Sequence, residues 1–176
     1  MFSLFYPGCY VEDVFSIDYV KLTAMGVKAL IFDIDNTLVP HGADSTPRVD
    51  EFFHHLHGMG LKTLLLSNNN RERIERFKRN FDSLYIEEAG KPHAACYHHA
   101  VQMLGVQPSE VVVVGDQVFT DILGANRAGL QSILVKYIGF YKKERKGIRR
   151  NLEKVVLWFY SHCKPTLDVA IENTTK

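Results

Sequence analysis

A short apolar run that ends in two aspartates restricts the possible folds more than any other feature of the sequence. Residues 29–32 read Ala-Leu-Ile-Phe, and Asp33, Ile34 and Asp35 follow directly. An apolar run without alternation predicts a strand buried on both faces, as in a parallel sheet. Residues i and i+2 of an extended chain lie on one side, so the two carboxylates are expected to point together. Two like charges at a buried strand end are costly unless a cation or a reaction requires them.

Further apolar runs alternate with helical patterns along the chain. The other strands are predicted at 62–66, 83–86, 111–114 and 132–135. Helices are predicted from an Asp18 cap to Gly26 and at 47–58, 71–80, 92–104, 120–128 and 148–162. Strands that alternate with helices through short connections indicate an α/β fold with a parallel sheet of about five strands and helices on both faces.

Polar residues follow four of these strands. Asp33, Ser67, Lys91 and Asp116 each lie at or just after a strand end, and Asp121 comes five residues after Asp116. In such sheets ligands bind outside the carboxyl ends of the strands. Taken singly, these residues could be a helix cap, a surface lysine or turn residues. Together they supply the hard oxygen ligands, carboxylates, hydroxyl and cation that Mg²⁺-assisted phosphoryl transfer requires.

The order of these motifs resembles the haloacid dehalogenase (HAD) phosphatase superfamily. The motifs are Asp-Ile-Asp-Asn-Thr at 33–37, Ser67, Lys91 and Gly-Asp-Gln-Val-Phe-Thr-Asp at 115–121. The fuller pattern, from about Tyr10 to Tyr141, is similar to a bacterial subgroup of small type IIIA phosphatases called the YqeG family. That subgroup itself resembles the mitochondrial phosphatidylglycerophosphatases. The resemblance implies a Rossmann-like three-layer sandwich and a phosphatase that hydrolyses phosphoric monoesters.

The resemblance also assigns the chemical steps. Asp33 would attack phosphorus and form an aspartyl-phosphate. Asp35 would protonate the leaving alkoxide and then activate the hydrolytic water. Lys91 would neutralise the phosphoryl group and Asp33. Asn36 stands where many relatives carry glycine, and because asparagine tolerates a left-handed backbone we expect activity to be retained.

The binding residues are likewise implied by the resemblance. The phosphate site would include Thr37, which also orients Asp35, together with Ser67 and the backbone N–H of Asn68. The cofactor would be Mg²⁺, with three ligands: the Asp33 carboxylate, the Asp35 carbonyl and Asp116. Asp121 would stand behind these ligands, paired to Lys91.

The motif spacing leaves no room for a large cap domain. Only 31 residues separate Asp35 from Ser67 and only 23 separate Ser67 from Lys91, and helix and strand fill most of both gaps. We therefore expect an open site with a short flap at 41–44, which suits a large or surface-presented substrate. The expected organisation is a cover segment at 1–26, a phosphatase core at 27–140 and a basic helix and tail at 141–176.

Basic charge is concentrated near the C-terminus. Residues 136–154 contain eight lysines and arginines against two acidic residues, a net +6, whereas the whole chain carries +1. The apolar face of the last helix is expected to pack on the sheet, and the alternative is peripheral docking on an anionic membrane. That face comprises Ile148, Leu152, Val155, Val156 and Phe159. Three scattered cysteines, with neither a secretory signal nor a long apolar run, predict a cytoplasmic protein, with peripheral membrane contact as the alternative just given. The net charge of +1 argues neither for nor against nucleic acid, and no nucleic-acid partner is predicted.

The leading functional hypothesis is a Mg²⁺-dependent phosphomonoesterase, with phosphatidylglycerophosphate as the first candidate substrate. A phosphatase of a soluble sugar phosphate or nucleotide is the alternative, and a non-catalytic binding protein of the same fold is a third reading. A response-regulator receiver domain is disfavoured because both aspartates of the 33–35 motif follow one strand and Lys91 precedes the strand of Asp116. The oligomeric state is left open.

Overall fold

A six-stranded parallel sheet forms the centre of the computed structural model, which describes residues 2–138, 148–162 and 165–170, with the backbone alone at 2 and 148–151. The strands are β1 (Cys9–Val11), β2 (Ala29–Phe32), β3 (Lys62–Leu66), β4 (Leu84–Ile86), β5 (Val111–Gly115) and β6 (Gln131–Val135). Their order across the sheet is β1-β6-β5-β2-β3-β4, and every neighbouring pair is parallel. The predicted α/β class with a parallel sheet is confirmed.

Helices cover both faces of the sheet. They are α1 (Tyr19–Ala24), α2 (Pro47–Gly58), α3 (Arg71–Phe77), α4 (Ala94–Leu104), α5 (Leu123–Arg127) and α6 (Ile148–Tyr160). Side chains of α1, α2 and α3 pack on one face, against Leu30, Phe32 and Leu65. Those of α4 and α5 pack on the other, against Ile31 and Leu64. Because alternate residues of β2 point to opposite faces, one buried strand serves both cores. The result is the three-layer sandwich expected from the sequence.

Local capping explains where two of the helices begin. The Thr46 side chain accepts the N–H of Val49 at 3.3 Å, and Pro47 occupies the first position of α2. The Asp18 carboxylate accepts the N–H of Lys21 at 2.8 Å at the start of α1. These bonds satisfy backbone donors that have no partner inside the helix. Both starts agree with the sequence prediction.

Several element boundaries differ from the prediction. The segment expected only to cover the sheet also supplies the edge strand β1, which pairs with β6 and raises the strand count to six. Helix α3 ends at Phe77 rather than near residue 80, and α4 begins at Ala94 rather than at Pro92. Thr120 caps no helix, because it lies inside a π-helical turn, Val118–Ile122, that runs into α5.

The last helix does not pack as the sequence predicts. Leu152, Val155 and Phe159, which the sequence predicts to face the sheet, are half exposed, whereas Val156 of the same predicted face is partly buried and Glu153 is buried. The basic residues at 142–146 lie outside the described part of the chain. Within the ranges given above, no helix combines the length and apolarity needed to cross a bilayer.

The connections at the site edge are short. Between β2 and β3 the chain forms only α2 and its loops, and between β3 and β4 it forms only α3. Residues 33–83 are all described and contain no further folded unit. The absence of a large cap domain within this range agrees with the motif spacing.

Candidate active site

The carboxyl edge of the sheet collects the motif residues. Asp33 follows β2, Ser67 follows β3, Asp116 follows β5, and Lys91 lies in the loop between β4 and α4. Strand β2 runs between β3 and β5, and the N–H of Asp33 still donates to the carbonyl of Val114 at 3.0 Å. The backbone beneath the first aspartate is therefore fixed by the sheet itself.

Lys91 is a buried residue rather than a surface lysine. Its ammonium Nζ lies 2.5 Å from Asp33 Oδ1 and 2.7 Å from Asp121 Oδ1, and its side chain is 5% exposed. Burial alone would lower the pKa of Lys91, but the carboxylates of Asp121 and Asp33 outweigh it and hold this pKa well above the ordinary value. The amine therefore stays protonated and binds two carboxylates at once.

Three carboxylates form what we call the acidic centre: Asp33, Asp116 and Asp121. Their oxygens lie within 4.8 Å of one another. Ionised, they carry three negative charges against one positive charge on Lys91, which leaves a net charge of −2. Carboxylate oxygens are the hard ligands that Mg²⁺ prefers, and a divalent cation would balance this charge. The residues present therefore fit the metal that the sequence predicts.

The Asp33 side chain is largely buried. Burial raises the pKa of its carboxyl to about 6, with Lys91 opposing this rise and Asp121 adding to it. The hydroxyl of Thr37 donates to Asp33 Oδ2 at 3.1 Å and lies 3.5 Å from Asp116 Oδ1. Thr37 is fully buried, so it supports Asp33 from within the protein. The prediction that its side chain orients Asp35 is not met by this contact.

Asp35 does not share the partners of Asp33. Its Oδ1 accepts the N–H of Gly42 and Arg73 Nη2, both at 2.9 Å, and its Oδ2 accepts Asn69 Nδ2 at 2.6 Å. The ring Nδ1 of His41 lies 3.5 Å from Oδ2. Burial would raise the pKa of Asp35, but the Gly42, Arg73 and Asn69 hydrogen bonds together lower it. The two carboxylates are thus shifted in opposite directions.

Arg73 and Asn69 are the contacts that the sequence analysis does not identify. The Arg73 side chain is 10% exposed, and its Nη2 also donates to the carbonyl of Ala43 at 2.7 Å. A signal exists, because a basic residue in the first turn of a helix is unfavourable next to the positive end of the helix dipole. Arg73 occupies that position in α3, where the Asn70 side chain accepts its N–H at 3.1 Å.

The loop after β3 places Asn68 against Lys91 and ties Ser67 to Asn69. The Ser67 hydroxyl oxygen accepts the N–H of Asn69 at 3.2 Å and Asn69 Nδ2 at 3.0 Å. Asn68 Oδ1 accepts the N–H of Lys91 at 2.9 Å. The side chain of Asn68 thus fixes the backbone that carries the buried lysine.

The flap at 41–44 is tied to α3. Arg76 Nη2 donates to the carbonyl of Gly42 at 3.1 Å, and Arg76 Nε lies 2.6 Å from Asp44 Oδ1. Asn36 begins the turn into this flap with a φ of 68°, in the left-handed region that asparagine tolerates. Its side chain accepts the N–H of His41 at 3.1 Å, which secures the turn.

Comparison with known proteins gives one family and several relatives. A sequence model described as haloacid dehalogenase-like hydrolase matches residues 41–129. The probable phosphatase YqeG of Bacillus subtilis (strain 168) is 35% identical over 155 residues, which cover 85% of this chain and 90% of that protein. N-acylneuraminate-9-phosphatase of Mus musculus is 37% identical over 81 residues, 41% of this chain and 33% of that protein.

A plant protein matches over a longer stretch. Phosphatidylglycerophosphate phosphatase 1 of Arabidopsis thaliana is 24% identical over 185 residues, which cover 97% of this chain and 53% of that protein. The present chain thus spans about half the length of the plant protein.

Two solved structures share the fold. An uncharacterized protein from Listeria monocytogenes serotype 4b superposes with a TM-score of 0.53 at 20% identity, over 77% of this chain and 99% of that one. NagD from E. coli K-12 superposes with a TM-score of 0.55 at 16% identity, over 69% of this chain and 94% of that one. At these identities the likeness concerns the fold alone.

Proposed function

The chain belongs to the haloacid dehalogenase-like hydrolases, and from this premise we propose that it is a Mg²⁺-dependent phosphomonoesterase that works through an aspartyl-phosphate at Asp33. The observation that carries the proposal is the contact of buried Lys91 with Asp33 beside the other carboxylates of the acidic centre. A phosphoryl group delivered to this edge would meet a nucleophile, a fixed cation and a metal site together. Stabilisation of developing negative charge is the main requirement of phosphoryl transfer.

We assign the metal ligands from the order of the motifs, which makes the Asp33 and Asp116 carboxylates and the Asp35 carbonyl the residues that would hold Mg²⁺. Asp121 has a supporting place in this assignment, because its Oδ1 accepts Lys91 and its Oδ2 accepts the N–H of Gln117 at 3.1 Å. When bound, Mg²⁺ would neutralise charge on the phosphoryl oxygens. Asp121 keeps Lys91 aimed at Asp33.

The proposed reaction assigns separate roles to the two carboxylates. In the protein without metal the pKa shifts oppose these roles, because burial raises the pKa of the nucleophile Asp33 and hydrogen bonds lower that of Asp35. A bound cation would favour the ionised form of Asp33, and Asp35 must take up a proton before the first step. A carboxylate oxygen of Asp33 attacks phosphorus, and the bond from phosphorus to the ester oxygen breaks. The leaving alkoxide takes a proton from Asp35. A water then gives a proton to Asp35 while its oxygen attacks phosphorus, which frees inorganic phosphate and restores Asp33. Lys91, the hydroxyl of Ser67 and the N–H of Asn68 hold the phosphoryl oxygens.

Arg73 positions Asp35 in this scheme. We expect Arg73→Leu to lower kcat for an aryl phosphate by about 10–100-fold with little change in KM, since small misplacements of a reacting group cost that much. Arg73→Lys should recover part of the loss. Arg76→Leu is the matched control, because Arg76 binds the same flap without touching Asp35, and its kcat should stay within about threefold. Equal losses for both arginines would show that flap attachment alone matters.

The substrate proposed first is phosphatidylglycerophosphate or another phosphomonoester presented on a surface. Support comes from the short connections around the site and from the name of the plant relative. A soluble sugar phosphate is the second candidate, supported by the name of the mouse relative. A non-catalytic binding protein has less support, because every motif residue is present. Phosphate release from phosphatidylglycerophosphate in micelles, set against release from N-acylneuraminate 9-phosphate, distinguishes the two substrates.

Metal removal tests the cofactor assignment. Chelation with EDTA should abolish hydrolysis of p-nitrophenyl phosphate, and added Mg²⁺ should restore it. Asp116→Asn should raise the Mg²⁺ concentration for half-maximal activity by about 100-fold, because an amide is a weaker ligand than a carboxylate. Asp44→Asn makes the same change on the exposed flap and should leave this concentration unchanged. Full activity in EDTA would refute the metal requirement.

A further inference from the structure

One side of α6 fastens the helix to the protein. Glu153 is 7% exposed, and its Oε1 accepts the N–H of Val118 at 3.2 Å. Val156 and Leu157 are partly buried against a small apolar cluster that includes Val118 and Ile122. These contacts show which side of α6 faces the protein, and therefore which side faces away from it.

The opposite side is apolar and exposed. We call it the outer face of α6, and its residues are Leu152, Val155, Trp158 and Phe159. Each of these side chains is 50–61% exposed. Residues spaced by three and four positions lie on one side of a helix, so these four form a continuous patch. Large contiguous apolar patches usually mark a surface that contacts a partner or a membrane.

The charges of α6 indicate which partner fits. The helix contains Arg149, Arg150 and Lys154, and Lys154 is exposed. Its one acidic residue, Glu153, is turned inward and hydrogen-bonded. A helix that combines an apolar face, an exposed tryptophan and an exposed lysine, in a segment (136–154) whose sequence carries a net charge of +6, is suited to the surface of an anionic bilayer. We propose that the outer face of α6 docks on anionic lipid.

The inward side of α6 lies against the turn that carries Asp121. Glu153 accepts the N–H of Val118 in that turn, Val118–Ile122, and Asp121 contacts Lys91. Lipid binding by the outer face does not depend on catalysis or on the proposed function.

Co-sedimentation with lipid vesicles tests the surface. The full-length protein is mixed with vesicles of phosphatidylcholine alone or of phosphatidylcholine with phosphatidylglycerol. We expect it to sediment with the mixed vesicles, more weakly with the neutral ones, and less as salt is raised. The double variant Leu152→Gln/Trp158→Gln should bind roughly tenfold more weakly, because two apolar side chains no longer enter the interface.

Two further variants test whether charge on α6, or any exposed apolar residue, accounts for lipid binding. Lys154→Glu changes only charge and should weaken binding to the mixed vesicles roughly fivefold or more. Val20→Gln alters an apolar residue of α1 that is 69% exposed and should bind like the wild type. Hydrolysis of p-nitrophenyl phosphate in solution should be unchanged in all variants. If the wild-type protein did not hydrolyse p-nitrophenyl phosphate, the proposed function would be refuted, but the lipid-binding result would still stand.

Three results would overturn the docking proposal. One is no sedimentation of the wild type with either vesicle, and another is equal sedimentation with both. The third is concentration-dependent self-association of the wild type that the double variant loses, because a second copy of the chain would then cover the outer face of α6. Sedimentation velocity without lipid measures that association.

Discussion

Replacing Asp33 by asparagine is expected to lower the hydrolysis of p-nitrophenyl phosphate on the order of 10⁴-fold or more, because removal of a nucleophile eliminates the covalent route. Asparagine has nearly the same shape, and Lys91 keeps its contact with Asp121, so the variant should remain folded. Initial rates at saturating substrate measure the loss of hydrolysis, and circular dichroism of both proteins checks that the variant is folded.

A trapping experiment makes the assignment specific. Asp35→Asn should still accept phosphate from an activated aryl ester, because a good leaving group needs no acid, but should hydrolyse the adduct slowly. Mass spectrometry after an acid quench should then detect a phosphate adduct in Asp35→Asn and none in Asp33→Asn/Asp35→Asn. Asp168→Asn, on an exposed side chain, should retain wild-type rates. Activity of Asp33→Asn within tenfold of the wild type would refute the assignment.

Lys91→Met should destabilise the protein by about 3–5 kcal/mol at neutral pH in EDTA, as expected when one partner of a buried ion pair is removed. Asp33 and Asp121 would remain buried without their cation. The free energy of unfolding is measured by urea denaturation monitored by fluorescence, with equal slopes for both proteins as the check on two-state behaviour.

The loss in free energy of unfolding caused by Lys91→Met should become smaller as the pH is lowered. The folded-state pKa of Asp33 is already raised to about 6 in the wild type. Removal of Lys91 raises it further. An acid with a raised folded pKa destabilises the fold fully above that pKa, and the penalty fades as pH falls toward the unfolded pKa. The difference between variant and wild type should therefore shrink on acidification.

Lys28→Met is the matched control. The Lys28 side chain is 62% exposed and pairs with Glu110 at the surface, where such pairs contribute about 0–1 kcal/mol. If Lys91→Met lowered the free energy of unfolding no more than Lys28→Met does, the charges of the acidic centre would not be buried in solution.

Elements whose pattern is local could be predicted from the sequence. The valine run of β5 and the Thr46–Pro47 start of α2 carry their own signals, and the structure confirms both. Strand β1 has only three residues, and it exists because Cys9 pairs with Ile133, which lies far along the chain. The orientation of α6 likewise depends on the bond between Glu153 and Val118, 35 residues apart, and no helical period encodes it.

The same distinction applies to the candidate site. The ends of predicted strands located Asp33, Ser67 and Asp116, because the carboxyl ends of parallel strands meet at one edge. The sequence does not show that Asp35 turns away toward Arg73, 38 residues later. That contact depends on how the flap folds over the start of α3, which motif spacing does not specify.

The contacts that build the acidic centre join residues that are remote along the chain. Lys91 is 58 residues from Asp33 and 30 from Asp121, and Thr37 is 79 residues from Asp116. Closing loops of such length costs conformational entropy, which is offset only once the parallel strands have paired. The centre is therefore expected to assemble late in folding, so that recovery of hydrolysis after denaturation reports the native topology of the entire sheet.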